Sequence, residues 1–134
     1  MKDIRIDLEI MAMAYYYTVN YDNQKKIVYF CSLEKELEKK ISDEDLEIFW
    51  NKINKIDVWN WKKKYESFPE PPTDGIDWKL KLRNKMGKVI YSTGYETYPD
   101  NFNMLMEAFD DLVGLEYDDC NRFENFTEDL EDYD

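Results

Sequence analysis

The chain contains no histidine, and that absence removes the commonest general base, the usual proton shuttle and the commonest metal ligand. The Ser/His and Cys/His nucleophile pairs go with it, and most hydrolase mechanisms depend on them. Cysteine is nearly as scarce: Cys31 and Cys120 stand far apart with no metal-ligand rhythm. Neither a disulfide framework nor a zinc site is expected from them, and they read as buried or idle thiols. No phosphate-binding P-loop, no Gly-x-Gly-x-x-Gly and no His-Glu-x-x-His is present. No apolar run approaches the roughly 18–20 residues that span a bilayer. The start, Met1-Lys2-Asp3-Ile4-Arg5, alternates instead of building a signal-peptide apolar region, which predicts a cytoplasmic protein without membrane contact.

Positive charge is missing from one place in particular. Residues 95–134 carry a single basic side chain, Arg122, against 14 acidic ones, whereas residues 1–94 hold 17 basic and 16 acidic. The net charge of −12 therefore belongs to the carboxyl end. Such a field repels nucleic acid and membranes, attracts basic proteins and speeds encounter with them, without dictating a fold. Against these gaps stand 43% hydrophobic and 16% aromatic residues in 134, enough for one domain to build its own core.

Ile4, Ile6, Leu8 and Ile10 alternate with Arg5, Asp7 and Glu9, the period of two that lays one strand face on a core. Tyr15 to Tyr21 and Lys26 to Cys31 are two aromatic and β-branched runs around Asp22-Asn23-Gln24-Lys25, a hairpin pattern. The Glu/Lys-rich stretch from Leu33 to Lys40 reads as a solvated connection or a helical turn. Ser42 then opens a helix: Asp45, three residues on, makes a capping-box variant, and Asp43 and Glu44 suit the positive end of the dipole. Leu46, Phe49, Trp50, Ile53 and Ile56 follow on one helical face, where a Trp is a packing residue.

Val58 to Tyr65 places Trp59 and Trp61 on one face and Asn60 and Lys62 on the other. The prolines of Phe68-Pro69-Glu70-Pro71-Pro72-Thr73-Asp74-Gly75 demand a loop. Trp78, Leu80 and Leu82 alternate with Lys79, Lys81 and Arg83, and Asn84-Lys85-Met86-Gly87 turns the chain into Lys88 to Thr93, a second hairpin. Tyr98-Pro99-Asp100 begins a second helix, with Phe102, Leu105, Met106, Phe109, Leu112 and Val113 inward and Gly114 as its stop. The expected fold is α+β over residues 1–114: an antiparallel sheet of five or six strands with two amphipathic helices on one face. Residues 115–134, acidic with scattered aromatics and no clean periodicity, are expected to form a loosely attached tail able to order against another surface.

Trp61 and Tyr65, Asp74-Gly75 with Trp78 and Leu80, Gly94, then Tyr98-Pro99 with Asn101-Phe102 and Leu105 form an ordered pattern over less than half of the chain. It resembles an uncharacterised family of small bacterial proteins. The resemblance implies an α+β fold and no chemistry, and the first strands and the acidic tail lie outside it.

Thirty carboxylates offer many pairs of the glycosidase kind, and that abundance makes each one uninformative. Asp118-Asp119 and Asp74-Gly75-Ile76-Asp77 lack the five-position rhythm of a calcium loop. No catalytic residue, metal or cofactor is expected. On a helical wheel Asp100, Asn103, Glu107, Asp110 and Asp111 fall opposite the apolar arc of the second helix. Glu107 and Asp111, at i and i+4, repel each other at a cost of roughly 0.2–0.5 kcal/mol in an isolated helix. With Glu116, Asp118, Asp119, Glu124, Glu128, Asp129, Glu131, Asp132 and Asp134 the chain displays carboxylates densely, as duplex nucleic acid displays phosphate at about one charge per 1.7 Å of axis.

The expectation is a non-enzymatic inhibitor whose acids, Glu107, Asp110 and Asp111 among them, occupy the basic channel of a nuclease or another nucleic-acid-handling enzyme. Tyr117, Phe123, Phe126 and Tyr133 are its expected apolar anchors, since a few desolvated aromatics carry most of the affinity at an interface. In composition the chain is similar to cytosolic immunity proteins against nuclease toxins and to phage-encoded inhibitors of bacterial defence nucleases, the anti-CRISPR type included. Direct nucleic-acid binding is not expected, and monomer and dimer are both open. One alternative starts from residues 52–88, which hold ten Lys and Arg against five acids, with Lys79, Lys81 and Arg83 on one strand face. The tail of a soluble interaction domain would neutralise that strip, within one chain or head to tail between copies. The other alternative, a carboxylate-pair hydrolase or small-molecule binder, requires a concave pocket with converging acids.

Overall fold

The computed structural model describes residues 3–66 and 75–114. Alternation at the start becomes β1 (Arg5–Ala12), with Ile6, Leu8 and Ile10 fully buried and Arg5, Asp7 and Glu9 on the opposite face, as a period of two requires. A two-residue turn leads into β2 (Tyr15–Asp22), which buries Tyr17 and Val19. The Asp22 carboxylate then accepts from the backbone N–H groups of Gln24 and Lys25, both at 3.0 Å. That short-range capture is what asparagine and aspartate do at turns, and it starts β3 (Ile27–Ser32).

The stretch expected to be a wet connection is instead a fourth strand, β4 (Glu36–Lys40), antiparallel to β3. Its charges belong to an edge: Leu37 is half-buried while Glu36, Glu38 and Lys40 face solvent, the pattern by which edge strands avoid pairing with foreign chains. Helix α1 (Asp43–Ile56) follows. Its capping box is complete, with Ser42 Oγ accepting from Asp45 N at 3.0 Å and Asp45 Oδ2 accepting from Ser42 N at 3.1 Å. These bonds favour the ionised carboxylate, and they hold the Asp45 pKa below its ordinary value, the backbone bond contributing most. The helix ends at Asp57, whose φ of 63° is left-handed.

The aromatic alternation over Val58 to Tyr65 does not produce one strand. Val58–Asn60 is a 3₁₀ turn, and only β5 (Lys64–Glu66) is extended. The hairpin that follows has the expected place, as β6 (Asp77–Arg83) and β7 (Val89–Tyr95). Helix α2 (Phe102–Val113) follows, and Gly114 terminates it at φ 75°.

Among the described residues seven strands form one sheet in the order β4-β3-β2-β1-β6-β7-β5, one or two more than expected. Every pairing is antiparallel except β5 with β7. Helix α1 carries the chain from the β4 edge to the β5 edge, and both helices cover the face that presents Ile6, Leu8, Val19, Val28, Trp78 and Leu80, making one core. Phe49 of α1 meets Phe109 of α2 edge to face at 5.2 Å, and aromatic pairs favour that geometry. No helix among the described residues is long and apolar enough to cross a membrane.

Candidate functional site

The two helices run antiparallel. At one end Asn101 Nδ2 donates to the carbonyl of Ile56 at 2.6 Å. At the other, Asp45, Ile48 and Lys52 of α1 share a shallow groove of about 230 Å³ with Ala108, Asp111 and Leu112 of α2. The acidic first turn of α1, Asp43, Glu44 and Asp45, therefore lies at the end where α2 finishes and the chain runs on into its most acidic segment. The last turn of α2 holds no basic residue, although cations are favoured at that negative end of the dipole.

The acids expected on one exposed face of α2 divide three ways. Glu107 is exposed. Asp111 is exposed and forms an ion pair with Lys52 of α1. Asp110 does not face solvent: it is 6% exposed, and its carboxylate accepts from the Tyr17 hydroxyl at 2.7 Å. Position accounts for the correction, because Asp110 is i+4 from buried Met106 and i−3 from buried Val113, and such spacings share a face. The remaining expected contact residues, Glu116, Tyr117, Asp118, Asp119, Phe123, Glu124, Phe126, Glu128, Asp129, Glu131, Asp132 and Tyr133, lie outside the described residues.

The basic strip projects from the sheet face that the helices leave uncovered. There the register sets Lys79 opposite Glu9, Lys81 opposite Asp7 and Arg83 opposite Arg5. Unlike charges directly across a ladder contribute about 0.2–1 kcal/mol each. Arg5 turns to Asp7, Nε to Oδ2 at 2.6 Å, and Lys81 Nζ lies 4.9 Å from the centroid of the Tyr91 ring. Arg5, Asp7, Glu9, Lys79, Lys81 and Tyr91 line a groove of about 270 Å³ with both charge signs in it. β1 thus brings two carboxylates to the β6 lysines.

A third concavity has no counterpart in the sequence reading. Trp78, 1% exposed, is wrapped by Trp61, Tyr65, Tyr98 and Phe102 at centroid separations of 5.0 to 6.4 Å. Its indole N–H donates to the Thr97 carbonyl at 2.9 Å. Gly94 makes this possible: a Cβ there would stand 2.1 Å from Trp78 Nε1. Trp61, Tyr65, Trp78, Gly94, Tyr98 and Phe102, spread over more than forty residues, so meet in one aromatic cluster. On its outer side the chain forms a cleft of about 670 Å³ whose walls include Trp61, Tyr65 and Tyr98, with Asp57 and Asp100 beside them. The Tyr98 hydroxyl is buried and has no hydrogen-bond partner among the described residues. Burial first and the Glu96 charge second push its pKa up.

Among the described residues no three Cys, Asp or Glu side chains converge as metal ligands. No protein-family model matches the chain, and no curated protein matches it.

Proposed function

We propose that this chain is a non-enzymatic acidic inhibitor, one that binds a basic nucleic-acid-handling protein and blocks the surface on which nucleic acid would lie. The observation that carries the reading is the polarity of the charge: 14 acids against one base in residues 95–134, with the last described turn of α2 lying beside the start of α1, which adds Asp43, Glu44 and Asp45. A carboxylate array of this density speeds capture of a cationic partner.

The placement of the basic strip supports this over self-neutralisation. Lys79 and Lys81 stand opposite Glu9 and Asp7 in the β1–β6 register, with Asp7 bonded to Arg5, so the strip lies among charges of both signs on the sheet. The ion pair of Asp111 with Lys52 is the observation on the other side, and it involves one of the five acids of that segment that lie among the described residues. Asp110, bonded to Tyr17, belongs to the fold and leaves the docking surface to Glu107, Asp111 and the acids beyond Gly114.

Removing residues 115–134 tests the proposal. The full chain should be retained by a panel of immobilised basic nucleases at low salt and should inhibit their cleavage of duplex DNA. The shortened chain should lose both properties while its melting temperature stays within about 2 °C, because the loss is of surface charge rather than of core. A shortened chain that melts much earlier and binds nucleic acid would mean that the acids serve their own molecule.

A further inference from the structure

We infer that the cleft beside Trp61 is a receptor for one arginine side chain of the basic partner, an inference that rests on the proposed reading of the chain as a binder of a basic protein. The cleft's volume of about 670 Å³ lies within the roughly 300–1,000 Å³ of ordinary ligand sites. It has room for a long side chain and the backbone that presents it. Three of its lining side chains, Trp61, Tyr65 and Tyr98, are aromatic, and a cation is attracted to the face of such a ring within about 6 Å of the centroid. The chain itself already uses the wall in this way: Lys62 Nζ lies 5.9 Å from the centroid of Tyr65.

Two carboxylates set the sign of the site. Asp57 and Asp100 are both exposed, and neither forms an ion pair among the described residues. The Asp57 carboxylate is held in place, both of its oxygens accepting from Asn60 Nδ2 at 2.7 and 2.9 Å. An ionised carboxylate has about four acceptor positions, so two are left for an incoming donor. This aspartate occupies a left-handed position, φ 63°, where glycine is the common helix-ending residue. Lys62 is the one basic residue in the lining, and two acids outnumber it. Arginine fits better than lysine because its planar guanidinium stacks on aromatic faces and offers a fork of donors that matches a carboxylate.

The test uses the full chain with 15N-labelled tryptophan and follows the Trp61 indole N–H resonance, which reports the cleft. The probes are N-acetyl-arginine amide, its lysine counterpart, and N-acetyl-citrulline amide, which keeps the shape of arginine without its charge. Arginine amide should shift the resonance saturably, lysine amide more weakly and citrulline amide little. The double variant Asp57→Asn with Asp100→Asn, whose folding is checked by its melting temperature, should bind arginine amide about tenfold more weakly. Equal shifts from arginine and citrulline, no shift of Trp61, or unchanged affinity in the double variant would each overturn the inference. If arginine amide fails while basic nucleases are still captured, the cleft inference falls alone. If it binds while no basic nuclease is captured, the inhibitor reading falls and the cation site stands.

Discussion

Replacing Asp110 separates structure from docking within a single helix. Tyr17 and Asp110 are 4% and 6% exposed, and the bond between them is 2.7 Å long. A hydrogen bond to a charged group contributes about 1.5–3 kcal/mol net, and removing the acceptor leaves a buried phenol undersatisfied. Asp110→Ala also gains about 0.5 kcal/mol in helix propensity and relieves a negative charge at the negative end of the dipole, about 0.3–1 kcal/mol. The expected net loss is about 1–2 kcal/mol, a fall in melting temperature of about 4–8 °C for a domain of this size. Asp110→Asn keeps one acceptor oxygen and should lose less, about 1 kcal/mol. Glu107→Ala, at an exposed site, should stay within about 0.5 kcal/mol of the parent.

Urea denaturation at neutral pH measures all three. Both members of the pair make further contacts, so each single variant overstates the bond. A double-mutant cycle with Tyr17→Phe isolates it, with an expected coupling of about 1–2 kcal/mol. Additivity within about 0.3 kcal/mol would refute the reasoning. So would an Asp110→Ala chain as stable as the parent.

Three other perturbations follow from particular contacts. Gly94→Ala would drive a Cβ to 2.1 Å from Trp78 Nε1 and 2.6 Å from the Thr97 carbonyl, and overpacking of that kind should cost about 2 kcal/mol or more in a urea melt. A neutral result there would mean that the Trp78 cluster is loosely packed. Tyr98→Phe removes a hydroxyl that has no partner among the described residues, so stability should hold or rise by up to about 1 kcal/mol. Because the Tyr98 pKa is raised in the fold, the stability linked to its neutral form is complete below the ordinary phenol value of about 10 and is lost as pH climbs through the folded value. Melts above pH ~10 should accordingly show a smaller alkaline loss for Tyr98→Phe, and an unchanged alkaline limb would contradict this. Asp45 shifts the other way. Its contribution is complete above the unfolded carboxylate value of about 3.9 and fades as pH falls through the lower folded value. Ser42→Ala should cost about 1 kcal/mol at pH 7 and flatten that acid limb, whereas parallel acid limbs in the two proteins would exclude the capping box as its source.

How far the sequence revealed the fold depended on whether local periodicity and burial agreed. β1, α1 and the β6–β7 hairpin announce themselves because one side of each element is apolar at the spacing of its own geometry. β4 does not, because an edge strand exposes nearly everything and its glutamates and lysines are shared with any solvated segment. The Trp59 and Trp61 alternation mimics a strand, yet Asp57 leaves α1 in a left-handed turn that feeds a 3₁₀ segment, and only three residues remain to pair. The parallel pairing of β5 with β7 and the central place of β1 are contacts between distant parts of the chain, which no local pattern encodes. Asp110 stands at the margin of the apolar arc, four residues from Met106 and three from Val113, and what buries it there is Tyr17, which reaches that margin from another element. The Trp61 cleft joins residues 56–65 to 97–101, so its walls acquire meaning only when α2 packs beside the 3₁₀ turn.

The central claim, that the acidic carboxyl end captures a cationic protein, is tested most directly by the association rate with a basic nuclease as ionic strength rises. The rate should fall steeply with salt. Converting the Asp and Glu residues of 115–134 to Asn and Gln should slow it by about tenfold or more at low salt, with a smaller change in dissociation. A rate indifferent to salt, or one that the neutralised chain matches, would contradict the account.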